Sequence, residues 1–574
     1  MIHSGFASLA STPLTRRELL LVISMTVLFT LIIQFDFART SADGTRSIMG
    51  HAPWSIGSST GEGGSRSGYK HDQLSLDGMD ADGAVEEISK SDAFLGKLVG
   101  VNELGSHGSV GRWREMTMND SLVRWDDEAG APRTEIIAHA PGWTILRNLY
   151  LFNGTWYIVT DEPSDFPLLR MMTSTGAEIW NDEESIKNRE PTDKDLKIIF
   201  PSEAKRTIGH QASKVEGTTW TINDPPQFLD HYYHFAAEAL FGFWRTYSTL
   251  DRTITSEGRT TLPAPRRLMF THTDDQKWRD YSKMNTFLCK SVFPSMSYEF
   301  SGEFADRVDS GRAYLYDRVI FTDRAAALRG AQFAVTWRTA AEAFTLEGSP
   351  YWWSPVRRNL LEFVGGTSEA VLSPHDLERP VITYVSRQDW GRRMLIKEDH
   401  EVLVKELERL RDEHGYEVNI VSMDKLSRDE QIRLAARTTV MLGVHGNGLT
   451  HLLWMKPTPR ATVIEFFFPK GFAHDYEFTS RALGIMHYGF WGNEYFTAPD
   501  TPEVAYPEGF QGNEIPIDGK IVAQLIHARL SIEVTAEAEG EVHDLIHLDD
   551  DEEEKVDGLD DETDPEFMDV EEEV

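Results

Sequence analysis

The sequence is poor in cysteine and in basic residues. Its 574 residues include a single cysteine, Cys289, so an intramolecular disulfide and a cysteine-based zinc site are both excluded. Lys and Arg number 57 against 92 Asp and Glu, which gives a formal net charge of -35. Because binding to a phosphate polymer needs a basic surface, this balance argues against nucleic acid as the main partner. A chain of this length with 40% hydrophobic residues can form about two to four domains.

The acidic residues are concentrated at the C-terminus. Residues 533–574 contain 21 acidic side chains and one basic side chain, so most of the net charge lies in this segment. Runs of like charge repel each other and cannot form a core, which predicts a disordered, solvated tail over 531–574. The rest of the chain is only mildly acidic.

The longest uncharged apolar run covers residues 19–35 and follows two arginines. At about 1.5 Å per residue it would span roughly 25 Å of hydrocarbon, close to the thickness of an early-secretory membrane. We expect a transmembrane signal anchor over 19–37, with residues 1–18 held in the cytosol by the arginines. A cleaved signal peptide, with a mature chain that begins near Asp43, is the alternative.

The region after the anchor favours a location in the secretory pathway. Residues 38–93 are rich in Ser, Gly and Asp, which predicts a flexible stem. Two glycosylation sequons follow, at Asn119 and Asn153, and such acceptors are used on secretory chains. We therefore expect a single-pass type II protein of the Golgi or endoplasmic reticulum membrane, with a lumenal folded body.

The folded body is predicted to contain two α/β domains, over 94–370 and 371–530. The first alternates helical stretches, such as 325–344, with strand-like runs at 143–146, 156–159, 267–270 and 318–321.

The second domain has the clearer pattern. A capping box at Ser427 and Glu430 begins a predicted helix, another helix is predicted over 400–414, and apolar strands are predicted at 381–385, 417–421, 438–444 and 461–468. Strands that alternate with helices form a parallel sheet covered on both faces. We therefore expect a doubly wound domain that binds its ligand at the carboxyl ends of the strands.

Residues 443–451, G-V-H-G-N-G-L-T-H, follow the third of these strands. Glycines permit a tight turn close to a ligand, and the helix that begins here would direct free N–H groups into the crevice, a suitable place for phosphate. The order G-x-x-G-x-G differs from the dinucleotide fingerprint and from a P-loop, and the sequence has neither a G-x-S-x-G elbow nor an H-E-x-x-H metal motif. A turn that merely packs the helix onto its strand is the structural alternative.

The segment resembles the H-G-x-G-L-T signature of glycosyltransferase family 61, inverting nucleotide-sugar enzymes of the GT-B type. The S-R pair at 386–387, followed by Arg393, resembles an element of that family, and V-I-E at 463–465 resembles its strand that ends in Glu. H-Y-Y-H-F at 231–235 resembles its upstream histidine-aromatic motif. The resemblance covers about 230–470 and leaves out the stem and the acidic tail.

This resemblance implies an α/β fold of the GT-B type, with two Rossmann-like domains that face a cleft, and a UDP-sugar donor. Arg387 and Arg393, with the N–H groups of Gly446, Asn447 and Gly448, are candidates to stabilise the negative charge of the leaving nucleotide diphosphate. A salt bridge is the alternative role for the arginines. No metal or other cofactor is expected.

Two further residues are assigned to the donor. Glu465 lies near a strand end, where a carboxylate can accept hydrogen bonds from both ribose hydroxyls. His445 is a candidate donor to a phosphate or to the sugar, and its alternative is a turn histidine bonded to a backbone carbonyl.

An inverting transfer needs one base to remove the proton of the acceptor hydroxyl. His234 and Glu238 are four residues apart in a predicted helix and share a face, so this pair is the candidate. Asp389, Asp274 and Asp275 are alternatives.

The expected function is transfer of one sugar, xylose or N-acetylglucosamine, from its UDP donor to a hydroxyl of a glycan or glycoprotein. The predicted partners are therefore the nucleotide sugar, the acceptor and a membrane crossed by one N-terminal helix. A catalytically silent lumenal module that binds glycans or proteins is the alternative.

Overall fold

The computed structural model describes residues 118–126, 128, 130–365 and 379–533. All of them belong to one compact unit. The predicted cytosolic tail, anchor and stem lie outside the described residues, as does the acidic tail from residue 534 onward. Within the described ranges, no helix is long and apolar enough to cross a membrane.

The first part, residues 118–365, is built on a mixed sheet of nine strands. They are β1 Leu122–Arg124, β2 Glu135–Ala140, β3 Trp143–Phe152, β4 Thr155–Val159, β5 Leu196–Ile199, β6 Gln211–Ile222, β7 Arg267–Phe270, β8 Ser297–Glu299 and β9 Tyr314–Thr322. The order is β5-β4-β3-β9-β6-β7-β8, with β1 added on β6 and β2 on β3. Strands β9, β6, β7 and β8 run parallel, whereas β3 joins β9 antiparallel. Only one half of this sheet is therefore of the expected Rossmann-like kind.

Short helices connect these strands. The α-helices are α1 Leu169–Met172, α2 Glu183–Asn188, α3 Pro201–Thr207, α4 Phe241–Ser248, α5 Met284–Val292, α6 Ser301–Asp309, α7 Arg324–Ala327, α8 Ala331–Thr336 and α9 Ser354–Phe363. A π-helix spans His234–Leu240, and 3₁₀ helices span Met118–Asp120, Pro163–Asp165, Pro226–Phe228 and Thr339–Thr345.

The single helical stretch predicted over 325–344 is wrong. It is divided among α7, α8 and the 3₁₀ helix Thr339–Thr345. Trp337 follows α8 in the left-handed region, with φ of 55°, and a residue in this conformation ends a right-handed helix.

The second part, residues 379–533, contains the predicted parallel sheet. Its strands are β10 Val381–Val385, β11 Glu417–Val421, β12 Val440–Val444, β13 Thr462–Phe466, β14 Met486–Trp491 and β15 Glu494–Phe496. The order is β11-β10-β12-β13-β14-β15, parallel throughout except for the antiparallel β15. All four predicted strands are present, and β14 and β15 extend the sheet.

Helices cover both faces of this sheet. They are α10 Lys397–His414, α11 Arg428–Arg437, α12 Asp475–Ala482 and α13 Gly519–Leu530, with 3₁₀ helices at Met423–Lys425 and Asn447–Trp454. Ile382 of β10 belongs to the same buried core as Leu403 of α10 and Val522 of α13. Val385, on the opposite face of β10, belongs to the core that contains Ile432 of α11. The capping box predicted at the start of α11 is also confirmed.

The 3₁₀ helix Asn447–Trp454 packs between the two parts. The indole nitrogen of Trp454 donates to the hydroxyl of Tyr232 at 3.0 Å, and that of Trp353 donates to the carbonyl of Leu453 at 2.8 Å. The rings of Trp353 and Trp454 stack with their centroids 5.8 Å apart. These buried contacts hold the residues around 230–240 beside the carboxyl ends of β10 and β12.

Candidate functional site

A cavity opens at the carboxyl ends of β10 and β12. One wall comes from the second part: Val385, Ser386, Arg387, Trp390, Arg392, Met423, Asp424, Gln431, Asn447, Gly448 and His451. The opposite wall comes from the first part: Asp230, His231, Tyr232, Asp280, Tyr281 and Ser282. Since β10 has β11 on one side and β12 on the other, the strand order reverses here. Doubly wound sheets bind their ligands at such a point.

The glycine turn after β12 brings the backbone close to the loop after β10. Gly446 has φ of 152°, a conformation that residues with a side chain rarely adopt, and an added Cβ would lie 2.6 Å from Nη1 of Arg387. A Cβ on Gly448 would lie 2.8 Å from Cγ1 of Val385. These two glycines therefore let Arg387 and the end of β10 approach the start of the 3₁₀ helix.

Two arginines line the cavity, but they are not the two that the sequence predicts. Arg387 is in the wall as expected, with its guanidinium carbon 5.8 Å from the centre of the Trp390 ring. Arg392 is the second, whereas Arg393 is directed elsewhere and donates from Nε to the amide oxygen of Gln511 at 2.5 Å. Arg393 also has φ of 52°, so the chain turns sharply between the adjacent arginines. The two consecutive arginines were visible in the sequence, but the turn decides which one faces the cavity.

The predicted donor residues thus separate into two groups. Arg387, Asn447 and Gly448 line the cavity, and Gly446 lies directly beside Arg387. His445 and Glu465 lie outside the cavity wall and contact each other instead.

His445 and Glu465 form a buried chain with His487 of β14. Nδ1 of His445 lies 2.5 Å from one carboxylate oxygen of Glu465, and Nε2 of His487 lies 2.8 Å from the other. Glu465 is fully buried, because β13 runs between β12 and β14. Its position therefore supports orientation of His445, a role different from the predicted contact with ribose. His445 thus contacts a carboxyl group, whereas the alternative role considered in the sequence analysis gave it a backbone carbonyl as its partner.

The protonation states of His445, Glu465 and His487 depend on one another. Burial, with the nearby negative charges of Asp475 and Glu477, raises the pKa of Glu465. Burial also lowers the pKa of His487 to about 4, so this ring is neutral near pH 7. The raised pKa favours the protonated carboxyl, in which one oxygen donates a hydrogen bond to a ring nitrogen and the other accepts from a ring N–H.

His234 and Glu238 are also in contact. Nδ1 of His234 lies 2.7 Å from Oε2 of Glu238 on the π-helix, and the same oxygen accepts from Arg324. Burial opposes ionisation of Glu238, but Arg324 and His234 outweigh it and lower its pKa. Burial lowers the pKa of His234, partly offset by Glu238. A neutral His234 held at Nδ1 by an ionised Glu238 has its lone pair on Nε2, the arrangement of a general base.

His234 lies close to the cavity. Its ring centre is 4.9 Å from that of His231, which lines the cavity wall. Its side chain is 22% exposed, whereas that of Glu238 is 3% exposed, so only the histidine can reach a substrate.

Asp475, at the start of α12, was not predicted as a site residue. Its carboxylate accepts from Nη1 of Arg338 at 2.8 Å, and its carbonyl accepts from the hydroxyl of Tyr233 at 2.9 Å. Burial opposes its ionisation, but the charges of Arg338, His445 and His234 lower the pKa of Asp475. A carboxylate thus lies within electrostatic reach of both candidate histidines. Because Arg338 is 137 residues away in the chain, sequence spacing offers no signal for this pair.

The alternative bases have other partners. Asp389 is exposed and forms an ion pair with Lys425. Asp274 accepts the backbone N–H of Gln276, and Asp275 accepts from the side chain of the same glutamine. None of the three lines the cavity.

The two sequons lie next to strands of the first sheet. Asn153 is exposed in the tight turn between β3 and β4, with φ of 49°. Asn119 lies in the 3₁₀ helix Met118–Asp120. Glycosylation at either residue remains a prediction. Among the described residues, no three His, Cys, Asp or Glu side chains are grouped so that they could hold a metal ion.

The Glycosyltransferase 61 family profile matches residues 232–464. The match, which covers less than half of the chain, agrees with the resemblance seen in the motifs and supports assignment to this family. It includes His234, Glu238, Arg387 and the glycine turn, and the family supports a glycosyltransferase function in general. No curated protein matches the chain.

Proposed function

We propose that the protein is an inverting glycosyltransferase of the GT-B type that transfers xylose or N-acetylglucosamine from its UDP donor to a hydroxyl of a glycan or glycoprotein. The observation that carries this proposal is the cavity at the carboxyl ends of β10 and β12, with Arg387 and Arg392 in one wall. The 3₁₀ helix Asn447–Trp454 begins in the same wall and offers backbone N–H groups. Cationic side chains and free N–H groups are the partners that a diphosphate requires.

The arginines stabilise the leaving group. As the bond between the anomeric carbon and the UDP oxygen breaks, negative charge accumulates on the diphosphate. Fixed guanidinium groups in a crevice stabilise that charge without reorganisation during the reaction. On this proposal the chain's own cations neutralise UDP, and no metal is required.

His234 serves as the general base. Its Nε2 takes the proton of the acceptor hydroxyl while the hydroxyl oxygen attacks the anomeric carbon from the face opposite UDP, which inverts the configuration. Glu238, bonded to Nδ1 at 2.7 Å, stabilises the imidazolium that forms. Because Glu238 also contacts Arg324, it stays ionised and keeps the histidine in one orientation.

The proposed setting is the lumen of the Golgi or endoplasmic reticulum. It is supported by the apolar run at 19–35, the stem-like composition of 38–93 and the exposed sequon at Asn153. On this proposal the anchor lies over 19–37, the protein is a single-pass type II membrane glycoprotein, and the acidic C-terminus is a solvated extension.

A panel of UDP-sugars tests the proposal. Binding and donor hydrolysis are measured with the purified full chain, with the Arg387→Ala variant and with the matched surface variant Arg433→Ala, whose guanidinium pairs with Asp429 on α11. We expect one UDP-sugar to bind and Arg387→Ala to weaken it by about tenfold or more, with Arg433→Ala unchanged. A chain that binds glycans but none of the UDP-sugars would instead be the silent lumenal module.

A further inference from the structure

The parallel pairing of β10 and β11 places Asp424 beside the arginines of the cavity. Val385 and Val421, the last residues of the two strands, are partners in the sheet, and the N–H of Ser386 donates to the carbonyl of Val421 at 2.8 Å. Arg387 therefore lies two residues beyond one strand end and Asp424 three residues beyond the neighbouring one. Both line the same wall of the cavity.

This position has a defined use in doubly wound sheets. When a phosphate group binds at the point where strand order reverses, the attached ribose extends toward the second strand of the first β-α-β unit. That unit here is β10, α10 and β11. A carboxylate after the second strand of this unit can accept hydrogen bonds from the ribose hydroxyls, which are neutral donors.

Asp424 is the cavity carboxylate best placed for this contact. Asp280 is 4% exposed and accepts the backbone N–H groups of Met284 and Asn285 at the start of α5, so it is committed to that helix. Asp230 belongs to the opposite wall. Asp424 is exposed, and its Oδ1 accepts from the hydroxyl of Ser422. That contact fixes the carboxylate and leaves Oδ2 as an acceptor.

We propose that Asp424 binds the 2′ and 3′ hydroxyls of the donor, so that the ligand of this cavity is a ribonucleoside diphosphate and its deoxy counterpart is rejected. This inference rests on the proposed function, since it presupposes that the diphosphate lies at Arg387 and Arg392. It assigns to Asp424 the role that the sequence suggests for Glu465, which is buried between two histidines.

Calorimetric titration of the full chain with UDP, 2′-deoxy-UDP and 3′-deoxy-UDP tests the assignment. The variants are Asp424→Asn and the matched control Asp429→Asn, an exposed aspartate on α11 that is outside the cavity wall. For the wild type and the control we expect each deoxy compound to bind about tenfold more weakly than UDP. For Asp424→Asn we expect UDP to weaken to the level of the deoxy compounds, so that the discrimination disappears.

The outcomes separate the two proposals. If UDP binds and Asp424→Asn retains the same discrimination between ribose and deoxyribose, the ribose assignment is overturned and the donor site stands. If the wild type binds none of the three nucleotides, the donor site itself is overturned and the assignment falls with it. Thermal unfolding of each variant confirms that a loss of binding reflects the contact, because an exposed Asp→Asn change leaves the fold intact.

Discussion

The Nδ1 nitrogen of His445 lies 2.5 Å from a carboxylate oxygen of Glu465, a residue with no exposed surface. The other oxygen of Glu465 is bonded to His487, so this side chain of β13 connects the residue after β12 with β14. While this contact holds, only Nε2 of His445 is available to contact a substrate. The geometry of this site therefore depends on the buried carboxyl group as much as on the histidine that it orients.

Replacement of Glu465 by Gln is expected to lower kcat by about tenfold, with a smaller effect on the affinity for UDP. The amide keeps the shape, but its N–H₂ group can only donate to the ring that it meets, so the hydrogen-bond pattern that orients His445 changes. Steady-state kinetics and thermal unfolding measure the two effects separately. Glu417→Gln, which breaks an exposed ion pair with Arg437, is the control for a Glu→Gln change away from the site. An unchanged kcat in Glu465→Gln would exclude a positioning role.

Replacement of His234 by Ala is expected to reduce kcat by about 10²- to 10⁴-fold, because it removes the group that accepts the acceptor proton. Affinity for UDP should change little, since His234 is outside the cavity wall. Turnover and calorimetric binding are compared with those of His210→Ala, an exposed histidine before β6. If His234→Ala retains nearly full turnover and Asp475→Asn does not, the base is Asp475.

The pH dependence of kcat/KM should reflect the protonation of His234 and the influence of Glu238 on it. His234 must be neutral to act as a base, and burial lowers its pKa from 6.5, so activity should be retained at pH 6.5 and lost as the pH falls further. The charge of Glu238 raises the pKa of His234, whereas the nearby His231 and Arg324 lower it. Glu238→Gln should therefore shift the acid limb to lower pH while it reduces the maximal rate. A shift to higher pH would contradict the assigned pair.

Arg392 and Arg393 offer a direct comparison between neighbours. Arg392 lines the cavity, whereas Arg393 donates to Gln511. Arg392→Ala is expected to weaken UDP binding by about tenfold, and Arg393→Ala to leave it within about twofold. Titration with UDP at two salt concentrations measures this, and the salt dependence should decrease only for Arg392→Ala. The reverse ranking would restore the arginine predicted from the sequence.

The predictable part of the fold is the part in which local pattern and tertiary environment agree. The apolar run of β10 is buried along its whole length, and the Ser427–Glu430 pattern caps α11, so both were visible in the sequence. Strand β14 was missed because it carries His487 within an otherwise apolar segment. The interrupted helix at 325–344 was missed because the left-handed turn at Trp337 has no signal in residue type.

The same distinction applies to the site. Arg387 and the glycine turn follow strand ends, where topology alone predicts a ligand. Asp475 meets Arg338 across 137 residues of chain, and His487 reaches Glu465 only because β14 pairs with β13. Contacts of this kind depend on the packing of distant segments, which single-sequence patterns do not encode.

Gly446 provides a final test of how the turn and Arg387 cooperate. An added Cβ would lie 2.6 Å from the guanidinium of Arg387 in a backbone conformation that disfavours side chains. Gly446→Ala should therefore lower the free energy of unfolding by about 1–3 kcal/mol and weaken UDP binding by about tenfold, because the guanidinium must move. Gly415→Ala is the matched control, since Gly415 also has a positive φ, of 71°, but an added Cβ there meets no heavy atom within 4 Å. It should lose stability and keep its affinity for UDP, whereas equal affinities in the two variants would show that Arg387 does not depend on the turn.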